Sequence, residues 1–200
     1  GGNVSPSTKH LKNLMLMSAA SSATSTTNGR QEVAVCDYLL YYPFIDTDAI
    51  GEEQVMDNTV TLPRYTSQGG QVVAVAQSAA SAIGQFTFSY TNQDGVSGRT
   101  SQNNYTFIVA GGGQVVGASG AGASYNPFCY LQTGDTAVRS IESVTMSAAG
   151  GGLMCLVIVK PLIKTVVSQE CRRTTTGNLE SYGACTEISS VIHQAGAPKI

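Results

Sequence analysis

Between Leu62 and Thr100 the chain alternates apolar and polar residues in a way that suits an extended strand. Phe86, Phe88 and Tyr90 are interleaved with Thr87, Ser89 and Thr91. A period of two puts the three rings on one face and the hydroxyls on the other. Asn92-Gln93-Asp94-Gly95 follows, residues able to reach positive φ, which predicts a hairpin turn and a polar return segment. Phe86, Phe88, Tyr90, Val157 and Val159 are the positions expected to be buried.

The same pattern predicts strands over Gln31–Tyr42, Gln54–Leu62, Gln71–Gln77, Gln85–Thr91, Asn104–Ala110, Val138–Ser147 and Leu153–Val159. In Gln54–Leu62, Val60 and Leu62 share a face. In Asn104–Ala110 the shared face is Tyr105, Phe107 and Val109. Pro43, Pro63 and the pair Lys160-Pro161 are expected to end the strands before them, because proline cannot donate to a ladder. The stretch His10–Ser18 fits helix and strand alike. A strand is preferred, since no helix cap is convincing and the following SAASSATSTTNG resembles a hairpin connection. Gly111–Ser124 reads as a glycine-dense loop.

Short strands at intervals of 8–15 residues, with no long helical period, define an all-β chain. The expected architecture is an antiparallel β-sandwich or jelly roll with long loops. Residues 1–12 form an extended arm. Residues 13–167 form the β-domain, as one body or two β-lobes. Residues 168–200 form a loop-rich tail with a closing strand near Glu187–Ile192.

Composition changes the picture in one respect. Charged residues make up only 12% of the 200 residues, about half the usual globular share. A monomer normally carries more surface charge for solubility, so a surface covered by other subunits is expected. The net charge of −2, with no basic stripe, offers no footprint for nucleic acid. The longest apolar run, Leu153–Val159, is far short of the ~20 residues that span a bilayer, so no membrane partner is expected. The opening Gly1-Gly2 has neither a basic nor an apolar leader region and no initiator methionine; a processed chain or a fragment is expected.

Candidate chemistry is sparse. Asp46, Asp48, Glu52, Glu53 and Asp57 superficially suggest a calcium loop, with Gly51 at the sixth position. Ile50 then falls at the fifth position and Asp57 at the twelfth, which favours a solvated loop. Gly117–Gly122 lacks the lysine and helix that a phosphate cradle needs. His10 and His193 stand far apart, without a nucleophile motif around either. Cys36 and Cys155 lie inside apolar strand patterns. Cys171 and Cys185 flank a polar loop and are read as reduced rather than bridged, since five cysteines make a poor disulfide framework. No catalytic residue, metal or cofactor is expected. Arg99 and Arg139 each follow a turn-rich segment and are expected to bond loop carbonyls or a carboxylate. The aromatic cluster Tyr38, Tyr41, Tyr42 and Phe44 around Pro43 is either core, a subunit contact or a sugar-stacking surface. Alternation buries only one of the two adjacent tyrosines. Tyr41, Tyr42, Phe44, Lys9 and Leu11 are the interface candidates.

Five phrases together resemble structural proteins encoded in tailed-bacteriophage genomes: DYLLYYPFID (Asp37–Asp46), DNTVTLPRYT (Asp57–Thr66), FTFSYTNQDGVSGRT (Phe86–Thr100), PFCYLQTGDTAVRSIESVTM (Pro127–Met146) and LVIVKPL (Leu156–Leu162). The likeness covers roughly residues 30–165. It implies a non-enzymatic virion protein, foremost a capsid decoration or cement protein. Its expected partners are further copies of itself and other virion proteins, the major capsid protein above all, and its expected location is the virion. A tail or neck component, or a receptor- or glycan-binding module, are the alternatives. The arm Gly1–Lys12 is expected to lie on a neighbouring subunit.

Overall fold

The computed structural model describes residues 13–17, 30–108, 110–113, 115, 117–119, 127–168, 170–173, 179–182 and 185–189. Among these there is no helix, and about half lie in strands, so the chain is all-β as the pattern predicts. The chain divides into two compact units. One comprises Cys36–Pro161, and the other Gly1–Val35 with Leu162–Ile200. The strands are β1 (Asn13–Met17), β2 (Arg30–Asp46), β3 (Glu53–Val55), β4 (Gln71–Ala76), β5 (Gln85–Asn92), β6 (Arg99–Thr100), β7 (Asn104–Thr106), β8 (Gly117–Ser119), β9 (Val138–Ala148), β10 (Leu153–Ser168), β11 (Glu170–Arg173), β12 (Leu179–Tyr182) and β13 (Cys185–Ser189).

The larger unit holds a sheet in the order β3-β9-β5-β7-β8, with β6 also paired to β5. The sheet β2-β10-β4 contributes most of its described length to the same unit. Side chains from both sheets enter one buried cluster. Leu39, Tyr42 and Ile45 come from β2, Val72, Ala74 and Ala76 from β4, and Met154, Leu156 and Ile158 from β10. Phe86, Phe88 and Tyr90 of β5 join Val138, Ile141, Val144 and Met146 of β9 in that cluster. The β5 alternation therefore holds as predicted, and its rings stack in sequence, Phe88 to Tyr90 at 5.5 Å between centroids.

Asn92 makes the turn after β5. Its Oδ1 accepts the N–H groups of Asp94 and Val96, each at 3.0 Å, and Gly95 takes φ 81°. Its return strand is β6, whose Arg99 sits opposite Tyr90. A glycine is also required at Gly69, where φ is 69° and an added Cβ would lie 2.5 Å from the Val138 carbonyl oxygen.

Several expectations need correction. Pro43 does not end β2, nor Pro161 β10. β2 is an edge strand, where a missing N–H can face away from the ladder. Pro161 falls beyond the last residue of β10 that pairs with β4, Val159 opposite Gln71. The buried phase of β10 is Met154, Leu156 and Ile158; Val157 is only half-buried, while Val159 is buried in a smaller cluster with Val73 and Phe128. The predicted strand Gln54–Leu62 shrinks to Glu53–Val55, and Val60 is exposed while Leu62 is buried. β7 buries Asn104 and Thr106 rather than the aromatic face. Asn104 Oδ1 accepts the Tyr130 N–H at 2.7 Å and Thr106 Oγ1 accepts that of Gly84 at 2.8 Å, so burial leaves neither unpaired. Within Gly111–Ser124, Gly117–Ser119 is a strand, paired to β7.

In the smaller unit β1 pairs antiparallel with β13, from Asn13↔Ser189 to Met17↔Cys185. The hairpin connection expected over SAASSATSTTNG lies outside the described residues. Among the described residues of the tail, β11 and β12 pair antiparallel, Glu170↔Tyr182, and β13 begins two residues before the predicted closing strand. The arm 1–12 lies outside the described residues.

Candidate binding surface

β2 departs from the rule that a strand buries every second residue. Its buried positions are Leu39, Tyr42 and Ile45, and its exposed aromatics are Tyr38, Tyr41 and Phe44. A spacing of three needs the strand to break its alternation. One break is at Phe44, whose φ is 62°. A bulky residue in the left-handed region costs on the order of 1–3 kcal/mol. That conformation holds the phenyl ring 73% exposed.

Neighbouring side chains occupy the backbone around this break. Gln77 Oε1 accepts the Phe44 N–H at 2.6 Å. Gln54 acts as a one-residue strand partner for Asp46, accepting its N–H through Oε1 and donating Nε2 to its carbonyl, both at 2.8 Å. Arg64 grips Asp37 with two bonds, at 2.8 and 2.6 Å, and donates a third to the Tyr38 carbonyl at 3.0 Å. An edge so occupied resists strand addition. What it offers outward is side chains.

Tyr42, an interface candidate, is core instead, at 2% exposure. Its hydroxyl donates to Asn58 Oδ1 at 2.8 Å and accepts the Ile141 N–H at 3.1 Å, while Asn58 Nδ2 donates to the Ile141 carbonyl at 2.8 Å. Burial raises its pKa, and the Ile141 bond offsets part of that rise. This closed set ties the segment after β3 onto β9. Between that segment and β2 lies an open groove of ≈ 650 Å³, lined by residues 38–44 and 54–60 apart from Asn58. Tyr41, Phe44, Val55 and Val60 are all more than half exposed there. The Tyr38 and Tyr41 rings lie 6.3 Å apart, tilted by 40°. Of the interface candidates, Tyr41 and Phe44 are exposed in this groove. Val55 and Val60 were not singled out by sequence, because an apolar residue next to a strand pattern reads as core. Lys9 and Leu11 lie outside the described residues.

The acidic residues make local turns. Asp46 Oδ1 accepts the Asp48 N–H, Asp48 Oδ1 that of Gly151 and Asp57 Oδ1 that of Thr59. Among the described residues no group of three His, Cys, Asp or Glu could hold a metal ion. Burial pushes the Cys129 thiol up to about 12, which leaves it a poor nucleophile at neutral pH. The described residues hold no helix long and apolar enough to cross a membrane.

The two arginines are anchored. Arg99 Nε meets Asp135 Oδ2 at 2.9 Å. Asp135, its side chain 4% exposed, also accepts from the Tyr90 hydroxyl at 2.7 Å and Asn92 Nδ2 at 2.8 Å. Burial raises the Asp135 pKa, but the bonds from Arg99, Tyr90 and Asn92 outweigh it and hold the carboxyl at about 2. Arg139 Nη2 donates to the Ser67 carbonyl at 3.0 Å and to that of Gln93.

Neither the family models, nor the curated proteins, nor the solved structures contain a match to this chain.

Proposed function

We propose that this chain is a non-enzymatic structural protein of a bacteriophage virion, a capsid decoration or cement protein that acts through contacts between copies and with the major capsid protein. One observation carries this reading most: an edge strand that displays Tyr38, Tyr41 and Phe44 above an open apolar groove while its backbone is tied off. Large aromatics held rigidly at a surface are the residues from which interface hot spots are built. The low content of charged residues and the resemblance of five phrases to tailed-phage structural proteins support the same reading. In this role the arm Gly1–Lys12 lies on a neighbour, and many weak contacts on one shell offset the ordering cost of each.

The test is immunolabelling of virions released from cells that encode the chain, read by electron microscopy. Label spread over the shell at regular spacing supports the reading. Label confined to the tail or neck replaces it with the tail-component reading, and unlabelled virions overturn it. The Tyr38–Tyr41 pair also fits stacking on a sugar ring; binding to a glycan array that Tyr41→Ala abolishes would establish that second reading.

A further inference from the structure

We propose that the groove beside β2 receives the stretch Lys9-His10-Leu11-Lys12 of a second copy of this chain, with Leu11 seated against Tyr41, Phe44 and Val55 and the lysines directed toward Asp57 in its lining. This inference rests on the assembly reading above and names the two surfaces that meet. Three observations select the occupant. First, the strained Phe44 backbone displays a ring that the chain's own described core does not use. A backbone outlier that persists around an exposed aromatic is the mark of a site built for contact.

Second, the charge in the groove lining is of one sign: Asp57 lines it and no lysine or arginine does. Glu53 directly precedes the lining residue Gln54, and no lysine or arginine occurs from Tyr38 to Pro63. The ion pairs among the described residues, Arg64–Asp37 and Arg99–Asp135, involve neither carboxylate. The N–H and hydroxyl of Thr59 hold Asp57 below the usual carboxylate range, so it is ionised at neutral pH. Two such grooves facing each other would set like charges together, which disfavours a groove-to-groove pair and favours a cationic guest.

Third, the chain contains a matching segment. Gly1–Lys12 has no Asp or Glu and carries Lys9 and Lys12 on either side of Leu11. In an extended conformation Lys9 and Leu11 project from the same face, one toward a carboxylate and the other into the apolar floor. Gln54, Gln77 and Arg64 already occupy the neighbouring backbone groups of β2. The guest is therefore held by its side chains, and salt should weaken it.

The test mixes full-length chains of two isotopic masses, each with a photoreactive leucine at position 11, and maps the cross-links by mass spectrometry. The expected result is cross-links between light and heavy copies that end within residues 38–60. They should fall at least tenfold in Phe44→Ala. They should also fall tenfold in the pair Glu53→Lys and Asp57→Lys, and return when Lys9→Glu and Lys12→Glu are added. Cross-links that stay within one copy, end elsewhere on the chain, or persist through the charge reversal would overturn the proposal. Virion labelling is read separately. Labelled shells without groove cross-links overturn this pairing and leave the virion reading standing. Groove cross-links with unlabelled shells support the pairing and remove the virion reading.

Discussion

β5 and β2 run through the same unit and feed the same core, yet they are built on opposite plans. In β5 every second residue from Phe86 to Asn92 is buried, and the polar ends are satisfied by a closed set of bonds around Asp135. In β2 burial falls at every third residue, one backbone angle is left-handed, and aromatic rings face solvent. In the β5 hairpin the rings are buried and the large exposed apolar residue is Val96 in its turn. The β2 edge holds apolar surface that the fold of the described residues does not use. One strand maximises folding stability, and the other gives up some stability to present a surface.

The largest effect should come from the core side of this contrast. Phe88→Ala is expected to lower unfolding stability by on the order of 4 kcal/mol, read as a shift in the urea midpoint. Tyr41→Ala, half exposed, should shift it by less than about 0.5 kcal/mol. Equal shifts would erase the distinction between the two strands.

Asp135→Asn comes next. It leaves Arg99 without its charge partner and weakens three bonds at once, an expected loss on the order of 3 kcal/mol. Its sign with pH follows from the depressed carboxyl. Asp135 stabilises the fold fully above the ordinary carboxylate value of 3.8, and that contribution disappears as pH falls from there through about 2. The parent should lose stability steeply in that window, and Asp135→Asn should flatten the curve. An unchanged slope would show that the carboxylate is not the group being titrated.

Arg99→Lys and Arg139→Lys should each lower the unfolding temperature, because an ammonium cannot reproduce the directed bonds of the guanidinium. Thermal unfolding indistinguishable from the parent would reduce both to surface arginines. The effect at Phe44 carries the opposite sign. Phe44→Gly should raise stability by about 1 kcal/mol through relief of the left-handed backbone, and a fall of that size would place Phe44 with the core residues.

How much of this was legible in the sequence divides along the same line. β5 follows a period of two and was read correctly with its turn; β9 was recognised as a strand, although its burial breaks alternation between Val138 and Ile141 and again at Ser143-Val144, where register shifts interrupt its pairing with β5. β2 was recognised as a strand, but Leu39, Tyr42 and Ile45 obey a spacing that no regular strand has, and its break at Phe44 depends on bonds from Gln54 and Gln77 distant in sequence. β11 and β12 are polar segments with no apolar alternation to signal them; a closing strand was expected near β13, but not its pairing with β1 from the far end of the chain. Asn104 and Thr106 are buried polar residues, justified only by partners that sequence does not place beside them. For the candidate surface, Tyr41 and Phe44 could be read from the aromatic cluster; the groove with Val55 and Val60 could not, since it depends on how the segment after β3 is tied to β9 through Asn58.

The most direct measurement is the occupancy of virions by the double variant Tyr41→Ala with Phe44→Ala, compared with its unfolding midpoint. If the β2 surface serves binding rather than folding, the midpoint stays within about 0.5 kcal/mol of the parent while occupancy falls by at least about tenfold. Parent-like occupancy at an unchanged midpoint would contradict the account.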